Sequence, residues 1–198
     1  MPGAAKPYVA LLRGVNLGAR NKVPMAELRQ RLAALGYEGV VTDIQSGNVV
    51  LWAAGTTEAQ LGRAIERAVK HHFGVTAAVL VRTGAQLRAT ASSNPLLRRG
   101  VDPASLHVTF LAETPTAARV RALRDQAFRP DEHVVRGRDV YLRCPNGYGR
   151  SKLGNAVLER ALGTIATTRN WKTVGTLADL AAGASAAARK RPRGAPGP

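Results

Sequence analysis

The stretch RGVNLGARNKVP, residues 13–24, brings together residue types that can hold an anion in a protein loop. Its glycines let the backbone approach a ligand closely, its asparagines offer amide donors, and its basic side chains offer positive charge. A second interpretation is also open, namely a glycine-rich turn that uses asparagine where the backbone is left-handed. The candidate ligand-binding residues of this segment are Arg13, Asn16, Arg20, Asn21 and Lys22.

The segment does not match the known phosphate-binding loops. Gly14, Gly18 and Lys22 are spaced G-x-x-x-G-x-x-x-K, whereas nucleoside triphosphatases use G-x-x-x-x-G-K-[ST]. The dinucleotide fingerprint G-x-G-x-x-G is absent from the sequence as well. The pattern therefore disfavours a nucleoside triphosphatase and a classical dinucleotide-dependent enzyme.

A second group of candidate ligand-binding residues lies in CPNGYGRSK, residues 144–152, and RNWK, residues 169–172. Two of its cations fall at the start of a predicted helix, where the helix dipole disfavours them by about 0.3–1 kcal/mol each and a bound anion would compensate. Its two aromatic rings could stack on a nucleic-acid base, although Trp171 also fits a core residue that anchors the last helix. The group comprises Tyr148, Arg150, Ser151, Lys152, Arg169, Asn170 and Trp171.

Other catalytic and metal-binding arrangements find little support. The motifs H-E-x-x-H, G-x-S-x-G and S-x-x-K do not occur, and neither loop group contains a carboxylate for acid–base hydrolysis. The chain has one cysteine, Cys144, which excludes an internal disulfide and a cysteine-based zinc site. We therefore expect no metal and no cofactor, and the sequence identifies no catalytic residue.

Hydrophobic patterning predicts the elements that position these residues. In the first half, strands are predicted at 7–14, 40–44, 48–52 and 76–82, with a tight QSGN turn between the middle two. One helix opens at Pro24, and a second follows Thr57, whose spacing to Gln60 forms a capping box. The two apolar stripes are Met25, Leu28, Leu32 and Leu35 on the first helix, and Leu61, Ile65, Val69 and Phe73 on the second.

The second half repeats this order of elements. Strands are predicted at 106–112, 132–136, 139–143 and 164–169. Thr114 is expected to cap a helix that has Pro115 at its first position, and two more helices are expected at about 152–162 and about 176–182. The order β-α-β-β-α-β in each half is that of the ferredoxin-like unit.

We therefore expect an α+β protein made of two tandem ferredoxin-like units with antiparallel sheets and a C-terminal helix. The first unit covers residues 1–83, a linker with a helical turn or two covers 84–104, and the second unit covers 105–183. Residues 184–198, rich in Pro, Gly, Ala and Arg, are predicted to form a disordered basic tail.

The sheet order of such a unit, 4-1-3-2, determines which loops meet. The loop after strand 1 and the turn between strands 2 and 3 lie at one end, which joins the 13–24 segment to Gln45, Ser46 and Asn48 in a cationic, acid-free cluster. Val23 cannot cap the following helix, so its free N–H groups would favour an anion there unless Asn21 turns back as the cap. In the second unit, segments 144–152 and 169–172 meet at the opposite end.

The charge of the chain favours a polyanionic or phosphorylated partner. Its net charge is +16, from 29 basic and 13 acidic residues, and the excess is spread along the whole sequence. No apolar run is long enough for a membrane span or a signal peptide, so we expect a cytoplasmic protein without a membrane partner. A polar sheet face, loosely like that of an RNA-recognition module, is predicted from His107, Thr109, Tyr141 and Arg143.

Four motifs that occur in order resemble a known bacterial family. They are YVALLRGVNLGARNKVPMAELR, DIQSGNVVL, GRSKLGN and ATTRNWKTV. Over about residues 7–182 the sequence resembles the family called domain of unknown function 1697. This resemblance implies a duplicated α+β, ferredoxin-like structure, and because the family brings no established activity it lends no catalytic residue.

Three functions are compatible with these observations. The first is a basic cytoplasmic binding protein that engages nucleic acid or a phosphorylated ligand through its loop clusters. The second is an enzyme that acts on a small anionic substrate, with Lys152 or the 13–48 cluster as an electrophilic stabiliser. The third is a structural or assembly role without a ligand.

Overall fold

Seven elements make up the first half of the chain, from β1 to α3. The structure is a computed structural model that describes residues 4–18, 21–43 and 47–189. The elements are β1 Lys6–Leu12, α1 Met25–Ala34, β2 Glu38–Asp43, β3 Asn48–Ala53, α2 Glu58–Phe73, β4 Val79–Thr83 and α3 Gly84–Ser92.

The second half, from β5 to α6, has the same order of strands and helices. Short 3-10 turns precede β5 and α5, at Pro103–Ser105 and Tyr148–Arg150. The elements are β5 Leu106–Leu111, α4 Ala117–Arg124, β6 Glu132–Arg136, β7 Asp139–Arg143, α5 Asn155–Leu162, β8 Ala166–Asn170 and α6 Trp171–Arg189.

The strands form two four-stranded antiparallel sheets, in the orders β2-β3-β1-β4 and β6-β7-β5-β8. Both orders are the 4-1-3-2 arrangement expected from the sequence, read from the other edge. The protein is therefore α+β, and its two sheets are compatible with two tandem βαββαβ units. The domain boundaries themselves stay a prediction.

Helix α2 shows how closely local sequence signals can determine an element. Thr57 accepts a hydrogen bond from the Gln60 N–H, and the Gln60 side chain accepts one from the Thr57 N–H, so the predicted capping box is confirmed. Gly74 ends the helix with a left-handed φ of 67°. Leu61, Ile65 and Val69 are buried along one face, as the apolar spacing requires.

The start of α1 differs in one detail from the expectation. Pro24 is the residue before the first helical turn, not its first residue, and no described side chain caps the helix there. Leu35, predicted to belong to the apolar stripe, follows the last helical residue and is 57% exposed. The rest of the stripe is buried at Met25, Leu28 and Leu32.

Three helices of the second half begin at residues other than those expected. Helix α4 is capped by Thr116, whose hydroxyl accepts from the Arg119 N–H, so the expectation that Thr114 caps it was wrong. Helix α5 begins only at Asn155 and not near residue 152. Helix α6 begins at residue 171 instead of about 176, because the Asn170 side chain caps it by accepting from the Thr173 N–H at 2.8 Å.

The segment predicted as a linker is part of the folded core. Thr83 and Gln86 form a second capping box at the start of α3, a helix of nine residues that packs against α6. Leu87 and Leu96 are buried between the two sheets. Each half therefore carries a helix after its fourth strand, which extends the repeated order of elements by one.

Three hydrophobic clusters hold these layers together. One lies between the first sheet and helices α1 and α2, and another between the second sheet and helices α4 and α5. The central cluster joins one face of each sheet to helices α3 and α6, with Val9, Leu11 and Phe110 among its members. The first sheet is thus covered on both faces, as its uninterrupted apolar strands indicated.

The polar face predicted for the second sheet does not exist. Tyr141 pairs with Val108 across the sheet and therefore shares its face, inside the central cluster, whereas Thr109 pairs with Val140 and points to the other side. Both Thr109 and Tyr141 are buried. Alternation along each strand was correct, but the register between strands assigns the residues to different faces.

Two arginines at corresponding positions join the halves. Arg82, the fourth residue of β4, donates to the carbonyl oxygens of Leu111 and Arg138 at 2.8 and 2.9 Å and pairs with Asp139 at 3.4 Å. Arg169, the fourth residue of β8, donates to the Leu12 carbonyl at 2.9 Å and to Asn48 at 2.6 Å. Each guanidinium thus binds the end of the first strand and the beginning of the third strand in the other half.

We predict that Arg82→Met lowers the free energy of unfolding by about 3–5 kcal/mol, because it removes the cation that pairs with the largely buried Asp139 carboxylate and that donates to the Leu111 and Arg138 carbonyls. Urea unfolding of the full chain measures the loss. The control is Arg31→Met, which breaks the exposed pair with Glu27 and should cost about 0.5 kcal/mol or less. A loss below about 1 kcal/mol for Arg82→Met would contradict the structural role of this arginine.

Candidate functional site

The loop after β1 closes on itself through its two asparagines. Asn16 has a φ of 56°, its Nδ2 donates to the Val23 carbonyl at 2.9 Å, and its Oδ1 accepts from the Val23 N–H at 2.8 Å. Asn21 has a φ of 52° and donates from Nδ2 to the Gly14 carbonyl at 3.2 Å. The turn interpretation of this segment is confirmed for both residues, since they hold left-handed backbone and cross-link the loop.

The two segments predicted to meet at this end of the first sheet do meet. The Leu12 N–H donates to the Gly47 carbonyl at 2.8 Å, and Gly47 lies directly against Val15. Its φ of 71° and the absence of room for a Cβ atom explain the glycine there. Three of the candidates, Arg20, Gln45 and Ser46, lie outside the described residues.

Arg13 has a structural partner, which corrects the expectation of an acid-free cluster. Its guanidinium pairs with Glu159 of α5 at 2.7 Å and donates to the Ala166 carbonyl at 3.1 Å. The carboxylate comes from the second half, which local inspection of the two loops could not show. Asn21 and Lys22 are exposed on the surface of the loop and do not line the cavity described below.

The two candidate groups, expected at different ends of separate units, converge at the junction of the halves. Arg169 of the second group donates to Asn48 of the first, and Asn48 is fully buried at the start of β3. The convergence follows from the packing of the two halves through the central cluster, which sets the end of β8 beside the end of β1.

A pocket of about 430 Å³ opens at this convergence, and we call it the junction pocket. None of the described residues that line it is acidic. One wall comes from the first half and the other from the second. The first wall consists of Leu12, Gly14, Val15, Asn16 and Leu17, and the second of Tyr148, Asn155, Thr167, Thr168, Arg169, Asn170 and Thr173.

A chain of hydroxyl groups organises the second wall. Tyr148 donates to the Thr168 hydroxyl at 2.9 Å, and Thr168 donates to Asn155 Oδ1 at 2.7 Å. His107 stacks on the Tyr148 ring with centroids 4.9 Å apart. Burial raises the pKa of Tyr148 above its ordinary value, so the phenol stays protonated at neutral pH and acts as a hydrogen-bond donor.

Arg169 supplies the positive charge of the junction pocket. It also donates to the Thr167 hydroxyl at 2.8 Å and to the Thr168 carbonyl at 3.0 Å. Desolvation lowers its pKa to about 10, which still leaves the guanidinium charged at neutral pH. The beginning of α6 adds a favourable dipole, since Asn170 and Thr173 of its cap both line the pocket.

Several predicted residues stay outside the pocket. Arg150 and Lys152 are exposed, and both precede the start of α5, so the expected conflict with a helix dipole does not arise. Ser151 accepts from the Leu153 N–H at 2.9 Å. Trp171 begins α6 and packs against the central cluster, which agrees with its interpretation as an anchor of the last helix.

The pocket residues that were not among the candidates are Leu12, Gly14, Val15, Leu17, Asn155, Thr167, Thr168 and Thr173. Thr167 and Thr168 directly precede Arg169, so their position on β8 was a usable signal. Asn155 was hidden by the misplaced start of α5. Leu17 lies inside the first candidate segment but was passed over because an isolated leucine in a loop carries no charge.

A second cavity, of about 550 Å³, lies on the other side of the same junction beside Arg82. It is lined by strand β4 and the residues after β5, as the junction pocket is lined by strand β8 and the residues after β1. Its lining includes the acidic residues Glu58, Glu66 and Glu113 together with the basic residues Lys6, Arg63, Arg82 and Arg138. The two related cavities therefore differ in the presence of carboxylates.

Other kinds of site find no geometric support in the described ranges. No three His, Cys, Asp or Glu side chains among the described residues are grouped so that they could hold a metal ion. In the same part of the chain, no helix combines the length and the apolar character that crossing a bilayer requires.

Comparison with known proteins identifies the family. The model of the family described as protein of unknown function (DUF1697) matches residues 5–141. The chain belongs to the DUF1697 family. The DUF1697 match covers the first wall of the junction pocket and ends before Tyr148, so the second wall lies beyond it.

A solved structure supports the same fold. The conserved bacterial protein SP0830 from Streptococcus pneumoniae is 25% identical to this DUF1697 chain, with a TM-score of 0.72. The similarity covers 90% of this chain and 99% of that one. No curated protein matches the sequence.

We predict that Gly47→Ala destabilises the protein more than Gly55→Ala does. Both glycines have a left-handed φ, 71° and 63°, which costs alanine about 1–2 kcal/mol. Only at Gly47 would the new Cβ meet another side chain, 2.5 Å from Val15, which adds about 1–3 kcal/mol. Urea unfolding of both variants measures the difference, and equal losses would show that the two segments are not packed as described.

Proposed function

We propose that this DUF1697 protein is a binding protein for a small phosphorylated ligand, held in the junction pocket. The observation that carries the proposal is a half-buried arginine, Arg169, in a pocket whose described lining contains no acid. Desolvating a cation is costly, and an anion bound beside it offsets part of that cost.

Comparison of the two arginines supports an anion at one of them. Arg82 pairs with the carboxylate of Asp139, whereas the residue at the corresponding position opposite Arg169 is Asn48, a neutral amide. Residues 19–20 and 44–46, outside the described set, contain no Asp or Glu. The described lining of the junction pocket thus carries a cation and no carboxylate, whereas Arg82 lies beside the carboxylate of Asp139.

Size and long-range charge agree with a small anionic ligand. The volume of about 430 Å³ falls within the range of small-molecule sites, about 300–1,000 Å³, and favours a compact ligand over a nucleic-acid duplex. The net charge of +16 raises the local concentration of any anion near the protein. The size of the pocket therefore favours a small phosphorylated ligand over nucleic acid, the other partner expected from the charge.

We also infer that the two halves are diverged copies of one ferredoxin-like unit. Three pairs of residues at corresponding positions have the same role. Glu66 and Glu159 each accept a hydrogen bond from the first N–H of the fourth strand in their half. Arg82 and Arg169 join the halves, and Thr83 and Asn170 cap the helix that follows the fourth strand.

The cytoplasmic location stays a prediction from the sequence.

We predict that Asn48→Asp weakens the binding of inorganic phosphate and pyrophosphate at least about tenfold, equivalent to about 1.4 kcal/mol. The new carboxylate would pair with Arg169 as Asp139 pairs with Arg82, so the fold should be retained while the anion is displaced. Isothermal titration calorimetry at constant ionic strength measures the affinities, and urea unfolding checks stability.

The matched control is Lys152→Gln, which removes an exposed cation outside the pocket and should leave both affinities unchanged. Fluorescence anisotropy with labelled DNA and RNA at several salt concentrations tests the nucleic-acid alternative. Either of two results would overturn the proposal: no phosphate or pyrophosphate binding at about 10 mM ligand, or equal binding by Asn48→Asp and the parent chain.

A further inference from the structure

We infer that the ligand of the junction pocket is amphipathic, with an anionic group on a short aliphatic body. This inference rests on the proposed anion site and extends it to the rest of the ligand. Arg169 and the start of α6 explain only the anionic group of the ligand. The opposite wall of the same pocket indicates the chemistry of the rest of the ligand.

The two walls of the pocket differ in polarity. The second wall is built mainly from hydroxyl, amide and guanidinium groups. In the first wall the Leu12 and Val15 side chains are buried in the core of the first half, so the apolar side chain offered to a ligand is that of Leu17. A ligand that fills the space must therefore present a charged end to one wall and an apolar surface to the other. Inorganic phosphate satisfies only the polar wall.

Leu17 is the clearest sign of an apolar contact. Its side chain is 72% exposed, the highest value among the large exposed apolar residues that the structure describes, and it lines the pocket at its mouth. Exposed apolar surface is a free-energy cost that a bound aliphatic group would remove. Leu35 and Leu97, which are also exposed, do not line this pocket.

The backbone that leads into Leu17 is positioned by the fold. Asn16 makes two hydrogen bonds with Val23, and buried Val15 packs against Gly47. The residues directly before Leu17 therefore need little ordering when a ligand binds.

An aliphatic body fits this pocket better than a nucleobase. The Tyr148 ring is stacked on His107, and its hydroxyl donates to Thr168. Trp171 packs against the central cluster and does not line the pocket. Both aromatic rings predicted to stack on a base are therefore engaged by the protein itself.

Calorimetric titration of the full chain with a series of phosphates tests the inference. The series is inorganic phosphate, methyl phosphate, propyl phosphate and hexyl phosphate, with adenosine monophosphate as the nucleotide arm. Affinity should rise about fourfold for each methylene that is buried, until the chain leaves the pocket. Adenosine monophosphate should bind no more tightly than methyl phosphate.

Leu17→Ser should abolish the dependence on chain length and leave the affinity for inorganic phosphate within about twofold. Leu35→Ser, a matched change of an exposed leucine outside the pocket, should alter neither. If phosphate binds but chain length has no effect, or the nucleotide binds most tightly, the aliphatic inference is overturned and the anion site stands. If no member of the series binds, both are overturned.

Discussion

The structure depends on a reciprocal exchange of two arginines. Each half extends the guanidinium of its outermost strand into the other half, where it binds the end of the first strand and the beginning of the third. A guanidinium can satisfy several carbonyl and side-chain oxygens at once, so each contact stabilises both halves and closes backbone acceptors that the sheets leave open. The central hydrophobic cluster packs the two halves of the chain against each other at the same interface.

The same exchange places a cation at the junction pocket. Arg82 and Asp139 form a largely buried ion pair, so loss of either partner would leave the other charge uncompensated. Arg169 makes the corresponding contacts with oxygens of Asn48, Thr167 and two carbonyls. One arginine of the pair can thus serve the fold and a ligand together.

Local signals in the sequence were sufficient for elements whose boundaries depend on neighbouring residues. The capping box of Thr57 and Gln60, the glycine at residue 74 and the hairpin at 137–138 are decided within a few residues, and the structure shows each of them. The sheet order followed as well, because few arrangements satisfy this order of elements.

Features that depend on contacts across the chain could not be predicted in this way. The face on which Tyr141 lies depends on its register with Val108, and the packing of α3 depends on α6. For the site, the residue types at 16, 48 and 169 were recognised, but their convergence required the packing of one half on the other. The pairing of Arg13 with Glu159, 146 residues apart, has no local signal at all.

The measurement that tests the central claim most directly is a phosphate titration followed by the ¹⁵N–¹H signals of the arginine Nε groups. Arg169 and Arg82 occupy corresponding positions, so each serves as the control for the other, and Arg169→Lys assigns the first signal. We expect the Arg169 signal to shift in a saturable manner while the Arg82 signal stays in place. Equal shifts of both signals, or a shift of Arg82 alone, would contradict an anion site at the junction pocket.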